Sequence, residues 1–96
     1  MSPPAVLLAV DDENIVRGVA ASFEEEGVPL AVVAPCTARE AATRSPLGIG
    51  LAVADGRIVL ALATGPDEPY AIGDDARTMG RLAARLAARR PLGAMA

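Results

Sequence analysis

Asp55 and Gly56 separate two apolar runs, and this pair constrains the fold more strongly than any other feature of the sequence. An Asp-Gly pair between apolar runs is typical of a two-residue β-hairpin, because both central positions of that turn require positive φ angles. Residues 47–53 and 57–63 are therefore predicted to be antiparallel strands. Any sheet that contains them must include one reversed strand.

The remaining apolar runs alternate with stretches of helical character. Residues 5–10 form a continuous apolar run typical of a strand buried on both faces, and residues 30–34 and 69–72 are shorter candidates. Helices are predicted after the first, second and fifth strands. The order β-α-β-α-β-β-β-α predicts an α/β fold, a three-layer α/β/α sandwich with a mixed five-stranded sheet in which strand 4 is antiparallel. Residues 1–96 are assigned to a single domain.

Local signals predict where the helices end and how closely they pack. Gly27 suits the left-handed position after a helix. Thr37 and Glu40 have the spacing of a capping box at the start of a helix over residues 38–44. Gly48 and Gly50, in the third strand, are expected to permit close approach of a backbone or a helix.

Three consecutive acids, Glu24, Glu25 and Glu26, end the first predicted helix. A helix C-terminus carries the negative end of the helix dipole, so each acid there costs about 0.3–1 kcal/mol. The acids therefore predict a compensating partner or cation, with a solvated helix end as the alternative. On a helical wheel the apolar face centres near Val19 and Phe23, and Glu25 lies nearly opposite it. Glu24 falls at one edge of that face and Glu26 close to its apolar side.

The final predicted helix combines an apolar stripe with a row of arginines. The stripe comprises Met79, Leu82, Ala83 and Leu86. The arginines recur every four residues and follow one flank of the helix, at Arg77, Arg81, Arg85 and Arg89. Two interpretations stay open: a soluble helix surface whose charges suit its C-terminal end, or a site for an anion or a partner protein.

The sequence contains no histidine and no lysine. It therefore lacks the usual general base, the Ser-His and Cys-His nucleophile pairs and the lysine of a phosphate-binding loop. Cys36 is the only cysteine, so there is neither a disulfide framework nor a cysteine cluster for zinc, and we interpret it as a small structural residue. A net charge of −3 and only two aromatic residues argue against nucleic-acid binding. We expect a protein that is not an enzyme.

The apolar composition bears on location and on partners. No signal peptide opens the sequence and no apolar run has membrane-spanning length, which predicts a cytosolic protein with no membrane partner. The core must be built from Ala, Val, Leu and Ile, and so the burial margin of so short a chain is thin. We expect the isolated chain to gain stability from docking onto a larger partner or from self-association as a homo-oligomer.

With these elements in place, the sequence resembles the small subunit of the diol and glycerol dehydratase reactivating factors. The resemblance rests first on residues 24–29, Glu-Glu-Glu-Gly-Val-Pro, after the first helix. It rests also on residues 45–50, Ser-Pro-Leu-Gly-Ile-Gly, entering the third strand, and on the closing helix with its Arg-Arg-Pro end at residues 89–91. The first motif points to the reactivating factor. The second is shared with the medium subunit of the dehydratase, which is typically about twice as long.

The resemblance implies a subunit of a molecular chaperone for a coenzyme B12-dependent enzyme. Its implied location is the cytoplasm, where it could associate with a bacterial microcompartment. Its partners would be the large, ATPase-like subunit of the reactivating factor and the large subunit of the dehydratase. It would trade places with the dehydratase medium subunit and so let damaged cobalamin leave. The implied fold is an α/β sandwich like that of anticodon-binding domains, without catalytic or cofactor-binding residues of its own.

The resemblance also implies a site. The central carboxylate of the Glu-Glu-Glu-Gly motif, here Glu25, would ligate a magnesium ion shared with the large subunit, an oxygen-ligand role that suits a hard cation. We predict a partner interface formed by Glu24, Glu25, Glu26, Arg77, Arg81 and Arg85.

Other interpretations remain beside this one. The chain could be a structural small or medium subunit of a B12-dependent dehydratase. It could instead be a free-standing anion-binding module that uses the arginine row. A small α/β enzyme is the last alternative.

Overall fold

The computed structural model describes residues 4–89, which form five strands and three helices. The strands are β1 (Val6–Ala9), β2 (Leu30–Val32), β3 (Ile49–Ala54), β4 (Arg57–Leu62) and β5 (Ala71–Gly73). The helices are α1 (Glu13–Glu26), α2 (Ala38–Arg44) and α3 (Ala76–Arg89). The predicted element order is confirmed, and the bounds of α2 match the prediction. The expected Arg-Arg-Pro end at residues 89–91 lies partly outside the described residues.

The five strands form one mixed sheet in the order β2-β1-β3-β4-β5. β1 pairs in parallel with both β2 and β3, whereas β4 is antiparallel to β3 and to β5. The reversal occurs at the predicted turn, where Asp55 has a φ of 51° and Gly56 a φ of 74°. Two successive positive φ values are those of a type I′ turn, whose twist matches that of the strands it joins.

Helices cover both faces of the sheet. α1 and α3 enclose the larger core on one face, and α2 packs on the other face over a cluster of alanines. The largest fully buried side chains belong to the first core and include Phe23, Leu8, Ile49, Leu51, Ile58 and Leu60. Alternation along β3 divides the two cores, because Ile49 and Leu51 face α1 and α3 while Ala52 faces α2. The predicted three-layer sandwich is confirmed.

Gly50 lets α2 approach the sheet closely. A Cβ atom at this position would lie 2.3 Å from the Ala42 nitrogen and 2.6 Å from the Ala38 oxygen. Those are backbone atoms of α2, which could give way only if the whole helix moved. The expected role of this glycine in close helix approach is therefore confirmed.

The strand boundaries differ from the predictions by at most two residues. β3 begins at Ile49 rather than at residue 47, because Gly48 adopts a φ of 72° and its amide donates to the Ser45 oxygen at 2.9 Å in a turn. β2 ends at Val32, two residues early. β5 is displaced toward its C-terminus and spans Ala71–Gly73 rather than residues 69–72.

Candidate functional site

The acidic end of α1 is closed by a glycine motif. Gly27 has a φ of 71°, and its amide donates to the Glu24 oxygen at 3.2 Å. The Val28 amide donates to the Phe23 oxygen at 3.1 Å. This pair of bonds is a Schellman motif, which satisfies carbonyls that the helix end would otherwise leave without partners. The backbone of α1 therefore ends as predicted, with the three acids in its last turn.

Two of the three acids are neutralised by arginines of α3. Arg77 Nη2 lies 2.7 Å from Glu25 Oε2, and Arg85 Nε lies 3.4 Å from Glu26 Oε2. Glu24 is exposed and forms no ion pair within residues 4–89. The sequence predicted an external partner or a cation for these charges, whereas two of the three acids are compensated by arginines of the same chain.

Arg77 is also bound to a buried hydroxyl of α1. Its Nε donates to Ser22 Oγ at 3.2 Å, and that hydroxyl donates to the Arg77 carbonyl oxygen at 2.7 Å. Ser22 is fully buried, so its hydroxyl needs such partners. Sequence analysis missed Ser22, because the partners that satisfy a buried serine belong to a helix more than 50 residues away.

Small residues bring α1 and α3 into contact. A Cβ atom on Gly80 would lie 2.9 Å from the Val19 Cα, and one on Gly18 would lie 2.7 Å from the Ala76 Cβ. The Gly18–Ala76 contact is followed along both helices by the Ser22–Arg77 bonds, so α1 and α3 run in the same direction. The last turn of α1 therefore lies beside the arginine-bearing flank of α3.

The structure pairs four of the six residues predicted for the partner interface, as Glu25 with Arg77 and Glu26 with Arg85, whereas Glu24 and Arg81 form no ion pair within residues 4–89. We call this set the helix-end charge cluster, and it consists of Glu24, Glu25, Glu26, Arg77, Arg81 and Arg85. All six are exposed except Glu26, whose side chain is 27% exposed in agreement with its predicted place near the apolar side. Glu25 is exposed as expected, but the wheel of α1 alone could not show that α3 pairs with it.

The predicted apolar stripe of α3 is wrong in one position. Leu82 is 37% exposed and Leu86 only partly buried, while Gly80, Ala84 and Ala87 are buried beside the predicted Met79 and Ala83. Close packing against α1 requires small side chains, so the bulky leucines lie at the edge of the contact. A pattern that weights residues by hydrophobicity underestimates glycine and alanine at such a contact.

Among the described residues, the helix-end charge cluster offers carboxylate oxygens but no complete ligand set for a metal ion. Within residues 4–89 no group of three or more His, Cys, Asp or Glu side chains is placed to hold a metal ion. Glu25 uses only Oε2 for its bond with Arg77, and its Oε1 accepts no hydrogen bond from the described residues. A magnesium ion at Glu25 would therefore need most of its ligands from elsewhere.

Two acids with shifted pKa values lie at helix starts. The Thr78 hydroxyl and amide both donate to the Asp75 carboxylate at the start of α3, which lowers the pKa of Asp75. The Thr37 amide donates to Glu40 at 3.0 Å and lowers the pKa of Glu40 at the start of α2. Glu40 returns the bond through its own amide to the Thr37 hydroxyl, which confirms the predicted capping box. These acids stabilise helix termini, and the positive charges of Arg77 and Arg81 also contribute to the lowered pKa of Asp75.

The opposite face of the sheet carries an open groove of about 720 Å³. Within residues 4–89 the seven-residue α2 is the only helix on that face, so β4 and β5 are left partly uncovered by the described residues. Ile72 is 52% exposed there, and Cys36 lies half-buried at the groove wall. The groove has an apolar floor and a rim of mixed charge.

None of the helices within residues 4–89 is long and apolar enough to cross a membrane. The family model for the dehydratase medium subunit matches residues 3–93, nearly the whole chain.

The chain belongs to the dehydratase medium-subunit family.

Two solved structures are similar to this member of the dehydratase medium-subunit family. A glycerol dehydratase reactivase is 31% identical with a TM-score of 0.79, and the match covers 94% of this chain and 96% of that one. A diol dehydratase-reactivating factor, solved in complex with ADP and Mg²⁺, is 30% identical with a TM-score of 0.78 over 95% of this chain and 98% of that one. Among curated proteins, no sequence matches significantly. The resemblance to the reactivating factors and the mixed α/β fold that it implied are both confirmed.

Proposed function

We propose that this chain is the small, non-catalytic subunit of a factor that reactivates a coenzyme B12-dependent diol or glycerol dehydratase. One observation carries the proposal: two reactivating-factor chains match it over nearly their entire length. The match leaves no room in those chains for a further domain. The absence of histidine and lysine from the sequence supports a role in which the chemistry lies in the partners.

The mechanism that we propose is subunit exchange. The chain shares its family with the dehydratase medium subunit, so it is suited to occupy that subunit's place on the dehydratase large subunit. Occupation would loosen the dehydratase and release damaged cobalamin. The chain itself would bind neither cobalamin nor nucleotide. This exchange takes place in the cytosol.

The helix-end charge cluster is the surface that we propose for the large subunit of the factor. Glu24 and Arg81 form no ion pairs within residues 4–89, so they are free to pair across an interface. Glu25 would add one carboxylate oxygen to a magnesium ion that the large subunit holds. A hard cation takes oxygen ligands, so a neutral amide at this position would be a poorer ligand than the carboxylate.

A reactivation assay tests the function. Dehydratase inactivated during turnover should regain activity when this chain, its large subunit, ATP and fresh adenosylcobalamin are all present, and omission of this chain should abolish the recovery. The purified chain alone should hydrolyse no ATP and dehydrate no diol. Recovery without the chain, or turnover by the chain alone, would overturn the proposal.

The metal role of Glu25 has its own test. We expect Glu25→Gln to weaken magnesium-dependent assembly with the large subunit roughly tenfold, because a neutral amide is a poorer ligand for a hard cation than a carboxylate. Glu24→Gln removes the same charge one residue away and should have a much smaller effect. Calorimetric titrations with and without magnesium measure both. Equal assembly by Glu25→Gln and the parent would contradict the assignment.

A second candidate is a structural subunit of the dehydratase itself, which the match to the medium-subunit family favours. That function predicts that the chain copurifies with an active dehydratase and is required for turnover. The proposed function predicts instead that the dehydratase turns over without it. Activity of the dehydratase in the absence of this chain separates the two.

A further inference from the structure

The three acids of the α1 end are held to very different degrees. Glu24 forms no ion pair with the described residues, and Glu26 forms one of 3.4 Å. Glu25 is bound at 2.7 Å by Arg77, the only arginine of the helix-end charge cluster that is itself anchored within residues 4–89 to a buried group. That anchor, Ser22, is completely buried.

Two hydrogen bonds along one edge of the guanidinium fix the orientation of Arg77. Nε donates to Ser22 Oγ while Nη2 donates to Glu25 Oε2, so the two bonds define the position of the planar group. The Ser22 hydroxyl is itself fixed by its 2.7 Å bond to the Arg77 carbonyl oxygen. The result is a chain of contacts that runs from a buried hydroxyl to an exposed carboxylate.

Without Arg77, the Glu25 carboxylate would be poorly ordered. It lies in the last turn of α1, where the helix dipole disfavours it, and its side chain would rotate in solvent. Arg77 holds one oxygen and leaves Oε1 without a hydrogen bond from the described residues. The contact therefore orders the carboxylate and keeps one oxygen accessible.

We propose that Arg77 is a positioning residue that presents the Glu25 carboxylate for assembly and that Ser22 anchors it. This inference rests on the proposed role of Glu25 as a ligand for a magnesium ion shared with the large subunit. A carboxylate ordered in advance avoids the entropic cost of immobilisation on binding. The positive charge of Arg77 opposes a cation, but its side chain is 44% exposed and solvent screens that repulsion. We expect ordering to be the larger effect.

The variants separate ordering from charge. Arg77→Met removes the positive charge and the ordering contact. Arg77→Lys keeps the charge but cannot bind Ser22 and Glu25 together through a guanidinium. Ser22→Ala keeps the arginine and removes the hydroxyl that anchors it. We expect each variant to raise the magnesium concentration for half-maximal assembly with the large subunit roughly 2- to 10-fold. Arg17→Met is the matched control, because it removes an exposed arginine from α1 and should leave that concentration unchanged.

Two readouts distinguish positioning from a general loss of structure. In the free chain, NMR should show that the Arg77 Nε–H proton exchanges slowly with water, and this exchange should become fast in Ser22→Ala. The melting temperature of each variant shows whether its fold is intact. In the Glu25→Gln background, Arg77→Met should raise the magnesium requirement no further, since it acts through that carboxylate. Glu25→Gln alone establishes whether the carboxylate matters.

The outcomes distinguish the metal role of Glu25 from the positioning role of Arg77. If Glu25→Gln raises the magnesium requirement but Arg77→Met leaves it unchanged or lowers it, Arg77 does not position the carboxylate and the proposed function stands. If Glu25→Gln has no effect, the metal role of Glu25 fails and the positioning role fails with it. If Arg77→Met and Ser22→Ala act equally in the parent and in Glu25→Gln, their effect is structural and the inference is overturned.

Discussion

The two faces of the sheet are completed to different extents. On one face, α1 and α3 pack against each other and against large side chains such as Phe23, Leu51 and Ile58. On the other face, the single helix α2 lies over a core of alanines and leaves a groove beside it. Among the described residues, helices cover the first face, whereas the second face is covered only where Gly50 allows α2 to touch the sheet.

This difference separates the sources of stability from the surfaces available to partners. Burial of large apolar side chains contributes most to stability, so the α1–α3 side should dominate the free energy of unfolding. The charges at the outer edge of that side are then available for recognition. Substitutions on matched positions of the two faces test this division.

The largest effect is expected for Phe23→Ala in the core beneath α1. Phe23 is 1% exposed and is the largest fully buried side chain, so its removal leaves a cavity and should cost about 4 kcal/mol. Ala41→Gly in the core beneath α2 is the counterpart and should cost about 1–2 kcal/mol. Urea denaturation of both variants measures the free energies. A larger loss for Ala41→Gly would contradict the division between the faces.

Gly50→Ala is expected to have the next largest effect. The added methyl meets the backbone of α2, which must move away from the sheet, and overpacking of this kind costs about 2–3 kcal/mol. Gly80→Ala meets the α1 backbone less closely and gains about 1 kcal/mol of helix propensity, so its net cost should be smaller. Thermal melts rank the two. Equal melting temperatures for Gly50→Ala and the parent would show that α2 is not held as closely as described.

Acid should weaken both helix starts. The pKa values of Asp75 and Glu40 are lowered in the folded chain, so each acid stabilises the fold at higher pH and loses that contribution as pH falls. The loss should begin below the ordinary values of 4.5 for Glu40 and 3.8 for Asp75. Melting temperatures recorded between pH 6 and about pH 3 should fall more steeply for the parent than for Asp75→Asn or Glu40→Gln. Parallel curves would argue against these hydrogen bonds.

The smallest effect is expected in the groove. Ile72 is 52% exposed, so Ile72→Thr should change the free energy of unfolding by less than about 0.5 kcal/mol. The same substitution at Ile58, which is 2% exposed beneath the other face, should cost several times more. Both values come from urea denaturation. A substantial loss for Ile72→Thr would mean that the groove is covered in the free chain, for example by a second copy.

Sequence reasoning succeeded where the determinant is local. The Asp55-Gly56 turn, the capping box of Thr37 and the helix end at Gly27 each depend on residues within a few positions of one another. The chemistry of those residues is enough to specify the local backbone. The fold class follows from the order of the elements that these signals delimit.

Reasoning from the sequence failed where the determinant lies on another element. Leu82 was predicted to be a core residue because a helical wheel of α3 does not include the contact with α1. Gly80 is buried because that contact has space only for a small residue. The wheel of α1 likewise placed Glu25 outward without showing its bond to Arg77. The metal role of Glu25 came from a resemblance and remains a prediction.

The bond between Ser22 and Arg77 joins residues 55 positions apart, which has a consequence for folding. Every strand of the sheet except β1 lies between these two residues in the sequence, so we expect the bond to form only late, after the chain that connects them has been ordered. A subunit whose last helix has frayed or not yet docked would leave Glu25 unrestrained. If assembly with the large subunit depends on an ordered Glu25 carboxylate, fully folded subunits would assemble and incompletely folded subunits would not.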